Sequence, residues 1–125
     1  MKYLILVHVD ENAMAAMSPN EDATLTTECL DYDDELKRNG HYIGSNALQP
    51  VRTATIVRVR NNKLSTTDGP FVETKEQLGG YMLIEARDLN EAIQVAAKCP
   101  MSRVGSLEVR PVMDLERKTP TWEHK

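Results

Sequence analysis

The chain has 125 residues, enough for one domain with a real core and too few for two. Hydrophobic residues make up 41% and charged residues 27%, the balance of an ordinary globular protein. The formal net charge is -4, and acidic and basic residues are interspersed, which argues against a basic nucleic-acid face and gives no polybasic membrane patch.

The apolar start, Tyr3 to Val7, stops at His8, and Asp10 and Glu11 follow where a secretory leader needs a longer apolar region and a cleavage site. It reads as a first strand instead. No run approaches the roughly 20 apolar residues that cross a bilayer. The two cysteines, Cys29 and Cys99, lie in helical patterns without CxxC spacing. They read as reduced thiols of a cytoplasmic protein rather than a disulfide or a metal site.

Lys2 to Val9 is apolar on both alternations, with Tyr3, Ile5, Val7 and Val9 on one face and Leu4, Leu6 and His8 on the other. Asp10 to Met17 is a connection or a ragged helical turn. Ser18-Pro19-Asn20-Glu21 then combines an N-cap, a proline at the first helical position and a capping box. Leu25, Cys29, Tyr32 and Leu36 continue a buried stripe, and Gly40 ends the helix.

His41 to Leu48 and Thr53 to Arg60 read as strands. Asn61-Asn62 signals a hairpin turn into a short partner, Lys63 to Thr67. Gly80 to Ala86 is the next strand. Asp88 caps a second helix whose expected buried stripe is Leu89, Ala92, Ile93 and Ala96, stopped by Pro100. Gly105 to Val112 is the last strand.

With the hairpin as an insertion, this order is the ferredoxin-like βαββαβ pattern of an α+β domain, both helices covering one face of an antiparallel sheet. The first strand is apolar on its other face, so a second cover is needed. A second copy of the chain supplies it, and a homodimer packed sheet to sheet is expected. The domain spans residues 1–113. Residues 114–125 form a polar tail whose Trp122 is placed to pack on a partner.

One stretch carries unusually dense chemistry, "TDGPFVETKEQLGGYMLIEA" from Thr67 to Ala86. Asp68-Gly69-Pro70-Phe71 is turn chemistry: Gly69 takes positive φ, Pro70 fixes the next φ, and Asp68 accepts backbone hydrogen bonds. Thr74 to Gln77 has the spacing of a capped helical turn. Gly79-Gly80 removes two side chains before a buried strand and permits close backbone approach.

Together with "ALQPVRTATIVRVR" and "GSLEVRPV", this stretch and the chain on to Pro100 resemble the YCII-related family, in its DGPF-domain branch. The resemblance covers nearly the whole domain. It implies a dimeric α/β barrel without an established activity. Many such proteins are encoded beside extracytoplasmic-function sigma factors, and a few relatives are small-molecule enzymes with a His-Asp pair in the barrel cavity. The family's histidine sits early in the first helix, whereas Ser18 to Gly40 contains none. Asp68 matches the pair's aspartate by its place in the motif.

From the residues themselves, Asp68 is either an acid-base carboxylate in a cavity wall or an anchor of its own turn. His8 is either its partner or an interface histidine. Glu73, Lys75 and Glu76 either line a pocket mouth or form a salt-bridged surface turn. Arg58 and Arg110 are placed to hold a carboxylate or to stay solvated. Tyr81 lends a phenol or fills core, and His41 and His124 read as exposed. Phe71, Gly79 and Gly80 complete the expected cavity, bounded by the first strand, the Asp68–Phe71 turn and Gly79–Leu83.

Neither a metal nor a cofactor is expected. His8-x-Asp10-Glu11 is a poor ligand set, and no phosphate-binding glycine loop, nucleophile elbow or Cys-His pairing appears. Two functions stay open: a cofactor-free acid-base enzyme acting through Asp68 with His8 or Tyr81, and a non-catalytic ligand-binding or accessory module of a sigma-factor pathway.

Overall fold

A computed structural model describes residues 1–115. The expectations about Trp122, His124 and most of the tail lie outside the described residues. In chain order the elements are β1 (Lys2–Val9), α1 (Glu11–Ala15), α2 (Pro19–Arg38), β2 (Tyr42–Ala47), β3 (Thr55–Arg60), β4 (Lys63–Asp68), β5 (Gln77–Glu85), α3 (Leu89–Lys98) and β6 (Gly105–Pro111). Short 3-10 turns at Val51–Thr53 and Pro100–Arg103 precede β3 and β6.

The main sheet runs β2-β5-β1-β6, with every neighbouring pair antiparallel. With β3 and β4 set aside as a separate two-stranded sheet, this is the ferredoxin-like α+β arrangement expected from the element order. The hairpin turns on Asn61 and Asn62, at φ 52 and 62. Two successive left-handed residues make the type I′ turn that matches strand twist, and asparagine tolerates that region.

Local capping fixes where the helices begin. Ser18 Oγ accepts the Glu21 N–H at 3.1 Å, and the Glu21 carboxylate accepts the Ser18 N–H at 3.3 Å. Together they satisfy two of the N–H groups that a helix start leaves orphaned. At α3, Asp88 accepts the Glu91 N–H at 2.9 Å, while the Glu91 carboxylate accepts the Arg87 N–H at 2.9 Å.

Both long helices contribute to one core on the odd-numbered face of β1, where Tyr3, Ile5, Tyr32, Leu36, Ile84 and Val95 pack together. Ile5, Leu36 and Ile84 are essentially inaccessible, each burial being worth about 1.5–3 kcal/mol. The Tyr32 hydroxyl donates to the Val95 carbonyl at 2.7 Å and ties α2 to α3. On α2, Leu25, Tyr32 and Leu36 are buried as expected, and Cys29 is half-buried.

Two expectations need correction. The buried face of α3 is Ala92, Val95 and Ala96, whereas Leu89 and Ile93 are 48% and 47% exposed. Small alanines on the inner face bring the helix backbone close to the sheet and leave no room there for the bulkier pair. Thr74 to Gln77 is not helical either: Gln77 opens β5, pairing with Val9. Its side-chain amide donates to the Val72 and Thr74 carbonyls at 3.0 and 3.1 Å, and Thr74 Oγ1 donates to the Glu76 carbonyl. Strand pairing thus wins over the helical cap, and the side chains fold the loop back on itself.

Candidate functional site

Side chains on the helix-facing side of the central strands taper from one end to the other. Tyr3 lies opposite Ile84, Ile5 opposite Met82, and Val7 opposite Gly80. Large residues fill the space below the helices at the first pair, and a glycine leaves it open at the third. Gly80 also sits where a Cβ would approach the Asn46 carbonyl to 3.0 Å, so close packing against β2 favours its lack of a side chain.

The outcome is a cavity of about 610 Å³ between α2 and the sheet. Val7, Val9 and Met82 form its floor, Leu25 and Cys29 its roof, and Met101 one end. Its wall is mostly apolar, with Glu11, Asp22, Asp33 and Arg52 as its charged members. On the β2 side a short polar chain reaches it: Tyr42 Oη and Ser45 Oγ lie 3.1 Å apart, and Ser45 Oγ donates to Asp33 Oδ2 at 3.1 Å. At the mouth, Glu11 accepts the Val51 N–H at 3.0 Å, joining α1 to the 3-10 turn before β3.

The thiols and phenol in this cavity are held neutral. Burial is the main force pushing the Cys29 thiol up to about 11, with Cys99, Asp33 and Glu28 adding to it. Burial likewise raises Cys99 and lifts Tyr32 to about 12. Thiols in that state are poor nucleophiles near neutral pH.

His8 points to the other side of the sheet, as strand alternation from Val7 and Val9 requires. Its Nε2 lies 3.1 Å from Glu108 Oε1. Nearby, Ser106 Oγ donates to Glu76 Oε1 at 2.7 Å, and Asp10, Thr74 and Lys75 complete an open hollow of about 680 Å³. His8 also borders a hollow of about 520 Å³ with Pro70, Phe71 and Leu78.

The cavity expected from the sequence is therefore divided between the two faces of the sheet. Gly79 and Gly80 line the helix-side cavity, whereas the Tyr81 side chain shares the other face with Leu6, its hydroxyl accepting from Asn46 Nδ2 at 2.9 Å. Lys75 joins His8, and Glu73 is exposed beside it in sequence. Phe71 is 73% exposed, with the Arg58 guanidinium 5.8 Å from its ring centroid. Asp68 is exposed at the end of β4, opposite Thr55, and its turn is closed by the Gly69 N–H donating to the Ala54 carbonyl at 2.8 Å. Among the described residues, no group of three His, Cys, Asp or Glu side chains gathers as a metal site.

Asp33 and Ser45 were missed by sequence reasoning. One signal was available: Leu25, Cys29 and Asp33 fall at i, i+4 and i+8, so an acid stands in line with the apolar stripe.

Residues 1–116 match the YCII-related domain. The chain belongs to the YCII-related family. An uncharacterised protein of Rhizobium meliloti (strain 1021) is 32% identical over 114 residues, covering 90% of this chain and 92% of that protein. Among solved structures, the fold is similar to a 5-chloro-2-hydroxyhydroquinone dehydrochlorinase from Burkholderia phenoliruptrix AC1100, in complex with 2,5-dihydroxybenzoquinone. The TM-score is 0.55 at 13% identity, covering 90% of this chain and 94% of that one. That likeness establishes a shared fold for this YCII-related chain.

Proposed function

We propose that the protein is a homodimer that binds a small molecule with an apolar body between α2 and the sheet, presenting the molecule's polar end to Asp33. The observation that carries this reading is the tapering interlayer, which leaves a mostly apolar cavity with a few polar groups, Asp33 and Ser45 among them, in its wall. Small-molecule sites have this character and typically measure about 300–1,000 Å³. A protein of the same fold holds a ring-sized quinone, which supports the reading at the level of fold.

The homodimer rests on the opposite face. Leu4, Leu6, Tyr81 and Leu83 form a half-exposed apolar strip on β1 and β5, away from both helices. Covering it with a second copy removes the strip from water. Among the described residues no helix is long and apolar enough to cross a membrane.

Titrating the protein with benzyl alcohol, by calorimetry, tests the site. Saturable binding in the wild type, lost in a folded Leu25→Trp variant whose indole fills the cavity, is the expected result. Binding that survives Leu25→Trp places the ligand elsewhere and sinks the reading.

A second reading is cofactor-free acid-base catalysis by Asp68 and His8, favoured by the place of His8 in the hollow beside Phe71. It predicts turnover that disappears in Asp68→Asn and persists in Asp33→Asn. Ligand binding without turnover in either protein fits an accessory role instead.

A further inference from the structure

We propose that the helix-side cavity selects a small cationic amine with an apolar body over neutral and anionic molecules of the same shape, an inference that rests on the binding reading above. Its charged lining residues are Glu11, Asp22, Asp33 and Arg52, which leaves two negative charges in excess. None of the three carboxylates forms a salt bridge among the described residues. Their charge is therefore not cancelled locally by a paired cation.

Each carboxylate is held differently. Glu11 is fixed across the mouth by the Val51 N–H, and Asp22 stands in the first turn of α2. Asp33 is half-buried, and Ser45 uses only its Oδ2. Its Oδ1 accepts no hydrogen bond among the described residues and is not sealed from solvent. An acceptor thus stays open beside an apolar wall.

The remaining ionisable groups do not offset this charge. Cys29, Cys99 and Tyr32 stay protonated near neutral pH because burial disfavours their anions. Arg52, already counted, is exposed in the 3-10 turn before β3 and is outnumbered by the three carboxylates.

The physical consequence is selectivity by charge. An ammonium donates to Asp33 in a charge-assisted hydrogen bond while its apolar body covers Val9, Leu25 and Met82. A carboxylate of the same shape meets three carboxylates against the one guanidinium of Arg52. A neutral hydroxyl keeps the hydrogen bond and loses the Coulombic part.

Three isosteric probes separate these cases: benzylamine, benzyl alcohol and benzoate, each titrated calorimetrically into the full chain at neutral pH. Benzylamine is expected to bind about tenfold tighter than benzyl alcohol, with benzoate weakest. The gap should narrow in Asp33→Asn, which keeps an acceptor for Ser45, and in high salt. Benzoate binding as tightly as benzylamine overturns the inference and leaves the cavity reading standing. A preference unchanged by Asp33→Asn overturns it as well. Absence of binding by all three probes overturns both together.

Discussion

Ser45 on β2 donates its hydroxyl hydrogen to Asp33 on α2 at 3.1 Å, so one hydrogen bond joins the sheet to the helix that roofs the cavity. The same hydroxyl lies 3.1 Å from Tyr42 Oη, and the three side chains form a continuous polar seam. Removing Ser45 should loosen that corner as well as strip a neighbour from the carboxylate. Ser45→Ala is expected to cost about 1 kcal/mol in urea unfolding. A double-mutant cycle with Asp33→Asn should show a coupling of about 0.5 kcal/mol or more. Strict additivity would mean that the bond is absent in solution.

The open face of the sheet makes the second prediction. Leu6 is half-exposed on β1, between Tyr81 of β5 and Glu108 of β6. Replacing it with aspartate buries a charge in any sheet-to-sheet contact and leaves the helix-side core untouched. Light scattering should give a dimer mass for the wild type and a monomer mass for Leu6→Asp, with unchanged far-ultraviolet circular dichroism. A dimer in both proteins would move the interface elsewhere.

Glycines in two different settings provide a third. A Cβ on Gly105 would collide with the His8 carbonyl oxygen, a backbone atom that cannot swing aside. Gly105→Ala should destabilise the fold by about 1–3 kcal/mol, the range for overpacked sites. At Gly44 a Cβ meets nothing within 4 Å. Gly44→Ala should therefore fall within about 0.5 kcal/mol of wild type, as open surface substitutions do. Equal effects would show that backbone freedom, rather than contact, governs both positions.

Alkaline stability provides the fourth. Cys29 titrates at about 11 rather than the ordinary 9.0, and Tyr32 at about 12 rather than 10.0, burial being the chief cause for both. The folded protein thus holds these protons more tightly than the unfolded chain does. Their contribution to stability is full below pH 9.0 and is lost as the pH climbs through about 11 and 12. Urea midpoints should fall across that window, with the early part of the fall diminished in Cys29→Ala. A flat profile would place both groups in water.

Much of this fold was legible because its signals are local. The Ser18–Glu21 capping box and the Asp88 N-cap announce helix starts whatever packs above them, and Asn61-Asn62 announces a two-residue turn. The inner face of α3 was less legible. Leu89 and Ile93 outweigh alanines on a hydropathy scale, but the helix turns its alanines inward because the distance to the sheet decides the matter. Thr74 to Gln77 carried two competing signals, and only the pairing of Gln77 with Val9 decides between them. The cavity was the least legible part. It depends on Val7 meeting Gly80, a register between distant strands that no local window contains. Asp33 became visible only once that register opened space beneath the helix.

The place of β1 has a temporal consequence. It is a central strand, hydrogen-bonded to β5 on one side and β6 on the other, and both neighbours follow it by more than half the chain. During translation at about 5–20 residues per second, β1 is made about 3–15 seconds before either partner exists. Its backbone donors and its two apolar faces are exposed throughout that interval. The strand that organises the finished sheet is the nascent chain's chief aggregation hazard, and a holding chaperone that binds extended apolar segments would find its best target there.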